Sequence, residues 1–267
     1  MSTIKELSNL SGRVSIITGA TGHLGKVISE TLAELGSDLI LIDRPESDFS
    51  TMISDLKPRW GVEVETYLCD LELPIQRKEL ISSVVNSHKE LNCLINNAAF
   101  VGTSELSGWS VPFEQQTPET FSRALEVNLT AVFDLVKGFS SILKNSKSAN
   151  IINIASIYGM YAPDWDIYKG TDMNNPAAYG SSKAGLIQLT RWLSTQLAPQ
   201  VRVNSISPGG IFRNQEKEFV KRYEAKTPLG RMATEDDLKG AISFLATDLS
   251  KYVTGQNLSV DGGWGVM

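Results

Sequence analysis

The strongest constraint on the fold of this 267-residue chain is a repeated alternation of short apolar runs with longer amphipathic segments. Seven runs rich in β-branched residues predict strands: "RVSIIT", "SDLILID", "VEVETYL", "LNCLIN", "NIINIAS", "VRVNSIS" and "QNLSV". Helix starts between them are marked by Pro74, by Thr117 with Pro118, by Asn175–Pro176 and by Thr234. Strands that alternate with helices in this way predict an α/β fold, a doubly wound parallel sheet with helices on both faces.

The chain shows no internal repeat, low-complexity tract or linker, so residues 1–267 are expected to form a single domain. Two of the predicted connections are long, at residues 102–117 and 157–175. Long loops in a compact domain commonly carry function, and both are therefore candidate parts of a site.

Charge and composition exclude several classes of partner. The net charge of −5 argues against nucleic acid or an anionic membrane as the main partner. Cys69 and Cys93 lie within or at the end of apolar runs, so both are expected to be reduced and buried. With only two histidines, His23 and His88, we expect no metal site. The first residues lack the apolar core of a signal peptide and no apolar run is long enough to span a bilayer, so we expect a soluble, cytoplasmic protein.

The stretch "TGATGHLG", residues 18–25, follows the first predicted strand and opens a helix. Backbone N–H groups and the helix dipole at such a turn favour a pyrophosphate, although a plain glycine turn before a helix gives the same pattern. Asp43 ends the next strand, where a ribose-binding carboxylate is expected, and it favours NAD because a carboxylate repels the 2′-phosphate of NADP. Arg44 beside it keeps NADP possible, since guanidinium groups bind phosphate. The alternative is that Asp43 merely ends a strand.

Tyr179 and Lys183 stand four residues apart in "AAYGSSKAG", which places both side chains on one face of a helix. A tyrosine acts as a base at neutral pH only if its pKa falls by about 3 units. A nearby ammonium and a positive nicotinamide ring both favour the phenolate and lower that pKa. The alternative is a surface pair on an amphipathic helix.

With these residues in place, the chain resembles the short-chain dehydrogenase/reductase (SDR) family from Gly12 to its C-terminus. Besides the glycine loop and the Tyr179/Lys183 pair, the resemblance rests on ordered motifs: "NNAA", "EVNLTAV", "NIASIYG", "SPGGI" and "SVDGGW". It implies a Rossmann-type fold, NAD(P)-dependent interconversion of a secondary alcohol and a ketone without a metal, and a homotetramer or homodimer.

The resemblance also implies roles for four catalytic residues. Tyr179 would exchange a proton with the substrate oxygen, and Ser156 would hydrogen-bond the same oxygen. Lys183 would lower the pKa of Tyr179 and hold the nicotinamide ribose, while Asn128 would anchor a water that links Lys183 to solvent. The family pattern assigns cofactor binding to a larger set: Thr18, Gly19, Gly22, His23, Leu24, Gly25, Asp43, Arg44, Asp70, Leu71, Asn97, Ala98, Ala99, Tyr179, Lys183, Pro208, Gly209 and Ile211.

Two positions depart from the pattern of the compact, single-domain branch that the rest of the chain matches. His23 occupies the middle glycine of the usual loop, a spacing typical of the extended branch; we expect it to start a helix and face solvent, although contact with the pyrophosphate is an alternative. Arg213 stands where a threonine commonly holds the nicotinamide carboxamide, which would then rely on the backbone of Ile211 or on Asn214. If Arg213 faces the pocket it could bind a phosphate or carboxylate; otherwise it is a surface arginine.

The segment between Ser156 and Tyr179 is longer than in most compact SDRs. This insert, residues 157–175, is expected over the carboxyl edge of the sheet. Its Trp165 and Tyr168 lie among charged residues, which suits a polyhydroxylated ligand better than a steroid or acyl chain, unless the loop packs only on itself.

The insert also resembles that of SDRs from bacterial surface-glycan and flagellin-modification pathways, which implies a sugar, sugar phosphate or nucleotide sugar as substrate. A small non-sugar hydroxy or keto compound is the enzymatic alternative. A catalytically silent NAD-binding sensor is the other, but a sensor has no need of the four-residue catalytic set.

Overall fold

The computed structural model of the chain describes residues 1–100 and 106–267. All seven predicted strands form: β1 (Val14–Thr18), β2 (Asp38–Asp43), β3 (Val64–Leu68), β4 (Cys93–Asn96), β5 (Ala149–Ile154), β6 (Val201–Pro208) and β7 (Asn257–Val260). They pair in parallel in the order β3-β2-β1-β4-β5-β6-β7. The predicted doubly wound parallel sheet is confirmed.

The described residues form these helices: α1 (Ile4–Ser8), α2 (His23–Glu34), α3 (Ser50–Trp60), α4 (Pro74–Ser87), α5 (Pro118–Leu125), α6 (Ala131–Asn145), α7 (Ala177–Gln196), α8 (Lys217–Lys226) and α9 (Lys239–Ala246). The starts predicted at Pro74, Thr117–Pro118 and Asn175–Pro176 are confirmed, and Thr234 caps a 3₁₀ turn, Glu235–Leu238, that leads into α9. Proline is the first residue of α4 and α5, where its missing N–H costs no hydrogen bond, and the Thr117 hydroxyl accepts the Thr120 N–H at 3.3 Å.

Two hydrophobic cores lie on opposite faces of the sheet because successive strand residues point to opposite sides. Ile16 of β1 faces the core formed with α4, α6 and α7, whereas the adjacent Ile17 faces the core formed with α2, α3 and α9. Cys69 and Cys93 are free and buried, one in each core, as predicted. In the described part of the chain, no helix is both long and apolar enough to cross a membrane.

The strand order reverses between β1 and β4, and this switch point opens a crevice at the carboxyl ends of the strands. The described part of the first long predicted connection begins at Leu106, which lines this crevice, and the second follows the carboxyl end of β5. Of the first, residues 102–105 lie outside the described residues, and the remainder contains a short 3₁₀ turn, Phe113–Gln115. The second contains two such turns, Ile157–Gly159 and Trp165–Tyr168.

Candidate active site

A cleft of about 520 Å³ opens at the crevice, within the size range of small-molecule sites. It brings together most of the residues that the sequence assigns to the cofactor: Gly19, Gly22, His23, Leu24, Gly25, Asp43, Arg44, Asp70, Leu71, Asn97, Ala98 and Ala99. They come from the ends of β1, β2, β3 and β4. The cleft thus joins segments that are far apart in sequence.

The glycine loop is shaped by close backbone contacts. Gly19 has a positive φ of 65°, and a Cβ there would lie 2.8 Å from the Cα of Ala98. A Cβ on Gly25 would lie 2.0 Å from the Gly19 carbonyl oxygen. The loop leads into the first turn of α2, whose N–H groups suit an anion. His23 is the first residue of α2 and is exposed, as predicted.

Thr18 lies beneath the cleft and does not line it. Its buried hydroxyl accepts the N–H groups of Asn97 and Ala98 at 3.1 and 3.0 Å. The Asn97 amide in turn donates to the carbonyls of Thr18 and Gly19, both at 3.0 Å. These four bonds tie the end of β4 to the glycine loop and fix the floor of the cleft.

The Asp43 carboxylate is held at the end of β2 by three donors. Oδ2 accepts both the N–H and the hydroxyl of Thr21 at 2.8 Å, and Oδ1 accepts the Arg44 N–H at 2.8 Å. The Arg44 side chain is exposed and reaches Glu46 at 3.1 Å. A fixed carboxylate, a helix N-terminus and a cradle that a Cβ would fill together fit a dinucleotide.

Ser156 follows β5, while Tyr179 and Lys183 lie one turn apart on α7. The predicted shared face is confirmed, since Lys183 Nζ lies 5.9 Å from the centroid of the Tyr179 ring. The ammonium is buried and donates to the Ile154 carbonyl at 2.7 Å. Burial disfavours the charged form and lowers the pKa of Lys183 to about 8.

The pKa of Tyr179 is raised by burial. The hydroxyl of Ser156 and the positive charge of Arg213 oppose this rise, and Tyr168 adds to it. Arg213 also lines the cleft. Its Nε pairs with the Glu235 carboxylate at 3.0 Å. The sequence showed only that Arg213 replaces a common threonine; its effect on Tyr179 depends on tertiary structure.

Asn128 lies in a π-helical turn, Glu126–Thr130, between α5 and α6, and such turns are frequent at functional sites. Its buried side chain accepts the Phe100 N–H at 2.6 Å and donates to the Ser182 hydroxyl at 2.9 Å. Ser182 precedes Lys183 on α7. Asn128 thus connects the chain after β4 to the helix that carries Tyr179 and Lys183.

The "SPGGI" segment, in which Pro208, Gly209 and Ile211 are predicted to bind the cofactor, lies beside a second, smaller cavity. Pro208 is buried at the end of β6, and Gly209 lines that cavity of about 130 Å³. The Gly210 N–H donates to the Tyr223 hydroxyl at 2.6 Å. The Ile211 carbonyl, one of the predicted carboxamide partners, accepts a hydrogen bond from Gln215 at 2.8 Å.

The insert packs partly on itself and partly on α8. The Tyr168 ring is 5.8 Å from Trp165 within the insert and 5.3 Å from Phe219 of α8, centroid to centroid. Trp165 is 55% exposed, whereas Tyr168 is 9% exposed. The Tyr168 hydroxyl lies 2.7 Å from that of Tyr158. Sequence analysis missed Tyr158, for which the available signal was its position two residues after Ser156.

Comparison with known proteins agrees with this geometry. A family model described as enoyl-(acyl carrier protein) reductase matches residues 19–265. Flagellin modification protein A of Campylobacter coli is 29% identical over 96% of this chain and its own full length. A short-chain dehydrogenase of Leptospira borgpetersenii with bound NAD⁺ is 35% identical, with a TM-score of 0.82 over 99% of this chain and 96% of its own. An NAD⁺-bound xylitol dehydrogenase is 28% identical, with a TM-score of 0.82 over 95% and 99%.

Proposed function

This chain belongs to the short-chain dehydrogenase/reductase family and is an NAD(P)-dependent oxidoreductase, and on that premise we propose that it interconverts a secondary alcohol and a ketone on a polar, sugar-like substrate, with NAD as the preferred cofactor. The bound nicotinamide supplies or accepts the hydride. The cleft residues that would hold the cofactor are the glycine loop, Asp43, Asp70 and the Asn97–Ala99 segment.

In this proposal the side chains of the site handle the proton. Tyr179 gives a proton to the substrate oxygen during reduction and takes it during oxidation, while Ser156 hydrogen-bonds the same oxygen. Arg213 and the Ser156 hydroxyl favour the phenolate against the opposing effect of burial. Lys183 holds the nicotinamide ribose. Asn128 holds α7 in position beside the cleft by donating a hydrogen bond to the Ser182 hydroxyl.

Polar groups at the reacting centre carry the proposed substrate class: the Ser156 hydroxyl hydrogen-bonds Tyr179, and the Arg213 guanidinium lines the cleft. Substrate hydroxyls and anions find partners in these groups, while the Tyr179 ring itself packs in an apolar cluster with Trp109 and Ala124. Trp165 adds an exposed aromatic face on the insert. Among the similar proteins, the xylitol dehydrogenase is named for a polyhydroxylated substrate, whereas a relative from Rickettsia felis is named as a 3-oxoacyl-(acyl-carrier-protein) reductase.

The substrate class is tested by cofactor reduction with a panel of compounds. Purified protein and NAD are mixed with xylitol, a hexonate, a hexose phosphate or a UDP-sugar, and with a hydroxysteroid and a 3-hydroxyacyl thioester for comparison. We expect reduction of NAD, followed at the absorbance of the reduced nicotinamide, with at least one polyhydroxylated compound. Activity with the apolar compounds alone would refute the proposed class.

The preference for NAD is tested by Asp43→Asn. The substitution removes the charge that repels a 2′-phosphate, and the exposed Arg44 guanidinium can exchange its surface pairing with Glu46 for the phosphate. We expect the ratio of kcat/KM for NAD to that for NADP to fall by about 100-fold, a change of about 2.7 kcal/mol in relative transition-state stabilisation. Asp48→Asn, an exposed carboxylate on the same connection, is the matched control and should leave the ratio unchanged. A wild-type ratio in Asp43→Asn would contradict the role of this carboxylate.

We further propose that the protein is a homo-oligomer. Phe133 on α6 and Trp192 on α7 are 42% and 53% exposed, and exposed aromatic side chains of this size are suited to contacts between subunits.

A further inference from the structure

We propose that the hydroxyls of Tyr158 and Tyr168 form a subsite that hydrogen-bonds a second oxygen of the substrate, next to the carbon that is oxidised or reduced. The inference rests on the proposed polar substrate. It specifies which groups of the protein recognise the substrate oxygen next to the reacting carbon.

The hydrogen bonds of the two tyrosine hydroxyls leave one phenolic proton without an acceptor among the described residues. Burial raises the pKa of both phenols, so the pair holds two protons at neutral pH. The bond between the two oxygens, 2.7 Å long, uses one of these protons. The Asn175 amide also approaches the pair, but it donates its own N–H to the Tyr168 oxygen at 3.3 Å. Within residues 1–100 and 106–267, no acceptor takes the second phenolic proton.

An unused donor at this depth is unusual, because nearly all buried polar groups in proteins are paired. Tyr168 is 9% exposed and Tyr158 is partly buried, so bulk water has restricted access to the pair. The free energy cost of leaving a donor without a partner is recovered when a ligand oxygen accepts the proton. A hydroxyl, carbonyl or carboxylate oxygen of the substrate meets that requirement, whereas an alkyl chain does not.

The position of the pair connects it to the reacting centre. Tyr158 is two residues after Ser156, and its backbone N–H donates to the Ser156 hydroxyl at 3.2 Å. Its carbonyl packs against Gly180, adjacent to Tyr179. Tyr168 also contributes to the raised pKa of Tyr179. The backbone of Tyr158 thus joins the tyrosine pair to both Ser156 and the helix turn that carries Tyr179.

The insert holds the subsite in place. The Tyr168 ring packs on Phe219 of α8, and Phe219 packs on Tyr223 at 6.0 Å between centroids. The Tyr223 hydroxyl accepts the Gly210 N–H of the loop that follows β6. Phenylalanine at position 158 or 168 would keep these ring contacts and remove only the hydroxyl, so both variants are expected to fold.

The test combines enzyme variants with substrate analogues. The polyhydroxylated compound of the panel with the highest kcat/KM is compared with its monodeoxy analogues in the wild type, Tyr158→Phe, Tyr168→Phe and the control Tyr252→Phe, which alters a fully exposed tyrosine. We expect each of the first two variants to lose about tenfold in kcat/KM with the full compound, and the control to lose nothing. One analogue should lack the substrate oxygen that the tyrosine pair binds. With that analogue, the wild type and the two variants should have equal kcat/KM, because the hydrogen bond is already absent in the wild type.

The outcomes separate the two proposals. If no polyhydroxylated compound is turned over, the proposed substrate class and the subsite are both overturned. If such a compound is turned over and both phenylalanine variants keep the wild-type kcat/KM, only the subsite is overturned. Equal losses of the variants with the full compound and with every deoxy analogue would indicate a merely structural role and would also overturn the subsite.

Discussion

Replacing Tyr179 with phenylalanine is expected to lower kcat by about 1,000-fold, the typical contribution of a positioned general acid or base. The variant keeps the buried ring and loses only the hydroxyl that Ser156 and Arg213 act upon. The family pattern includes Tyr179 in the cofactor-binding set, but Tyr179 does not line the cleft, so the affinity for NAD should stay at the wild-type value. The measurement is kcat with the best compound of the panel, together with NAD binding by calorimetry.

Tyr161→Phe is a suitable control because Tyr161 also lies in the 157–175 region but is exposed. It should keep full activity. Undiminished turnover in Tyr179→Phe would remove this residue from the mechanism, whereas loss of both turnover and NAD binding would show that the substitution damages the fold of the site.

Replacing Gly25 with alanine is expected to weaken NAD binding by about 100-fold or more, or about 2.7 kcal/mol of binding free energy. The added Cβ would lie 2.0 Å from the Gly19 carbonyl oxygen and 2.8 Å from the Cα of Ala20, both backbone atoms. The glycine loop must therefore move away from α2, and the geometry that suits a pyrophosphate is lost. Calorimetric titration with NAD measures the effect independently of activity.

Gly240→Ala provides a matched control for this change. Gly240 lies in α9, and a Cβ there would meet no atom within 4 Å. Alanine in an open helical position should stabilise the protein by about 0.5–1 kcal/mol and leave NAD binding unchanged. Wild-type NAD affinity in Gly25→Ala would show that the loop tolerates a side chain and would contradict its assigned role.

The fold was predictable because its determinants are local. Each of these features determines the backbone only within a few residues of its own position: the β-branched runs that form β1 and β2, the prolines that start α4 and α5, and the Thr117 cap. Once strands and helices alternate, a parallel sheet follows, and its carboxyl edge is the expected place for a ligand. The glycine loop and Asp43 could therefore be placed in one cleft from sequence.

The environment of Tyr179 was predictable only in part. Its spacing from Lys183 is a property of one helix, and the structure confirms the shared face. The cation that opposes the rise in the pKa of Tyr179, however, is Arg213, which follows β6 in the sequence. No sequence pattern indicates that electrostatic effect, because it depends on where the fold places the chain after β6.

The Tyr158–Tyr168 pair was hidden for a similar reason. Tyr168 was identified as a candidate from the composition of the insert, but its partner lies ten positions earlier, in a turn that the family motif describes only through Ser156. The insert brings the two hydroxyls together by packing on α8. A contact between two irregular segments leaves no periodic pattern in the sequence, so the pairing of these two hydroxyls could not be predicted.

Transfer of deuterium is the most direct test of hydride exchange at this site. The protein and NAD are incubated with the polyhydroxylated compound of the panel that has the highest kcat/KM, deuterated at its carbinol carbons. The mass of the reduced cofactor is then measured by mass spectrometry. The expected result is one added deuterium in the reduced nicotinamide ring, formed about 1,000-fold more slowly by Tyr179→Phe. Reduced cofactor that carries no deuterium, or no reduction by any compound in a protein that binds NAD, would contradict it.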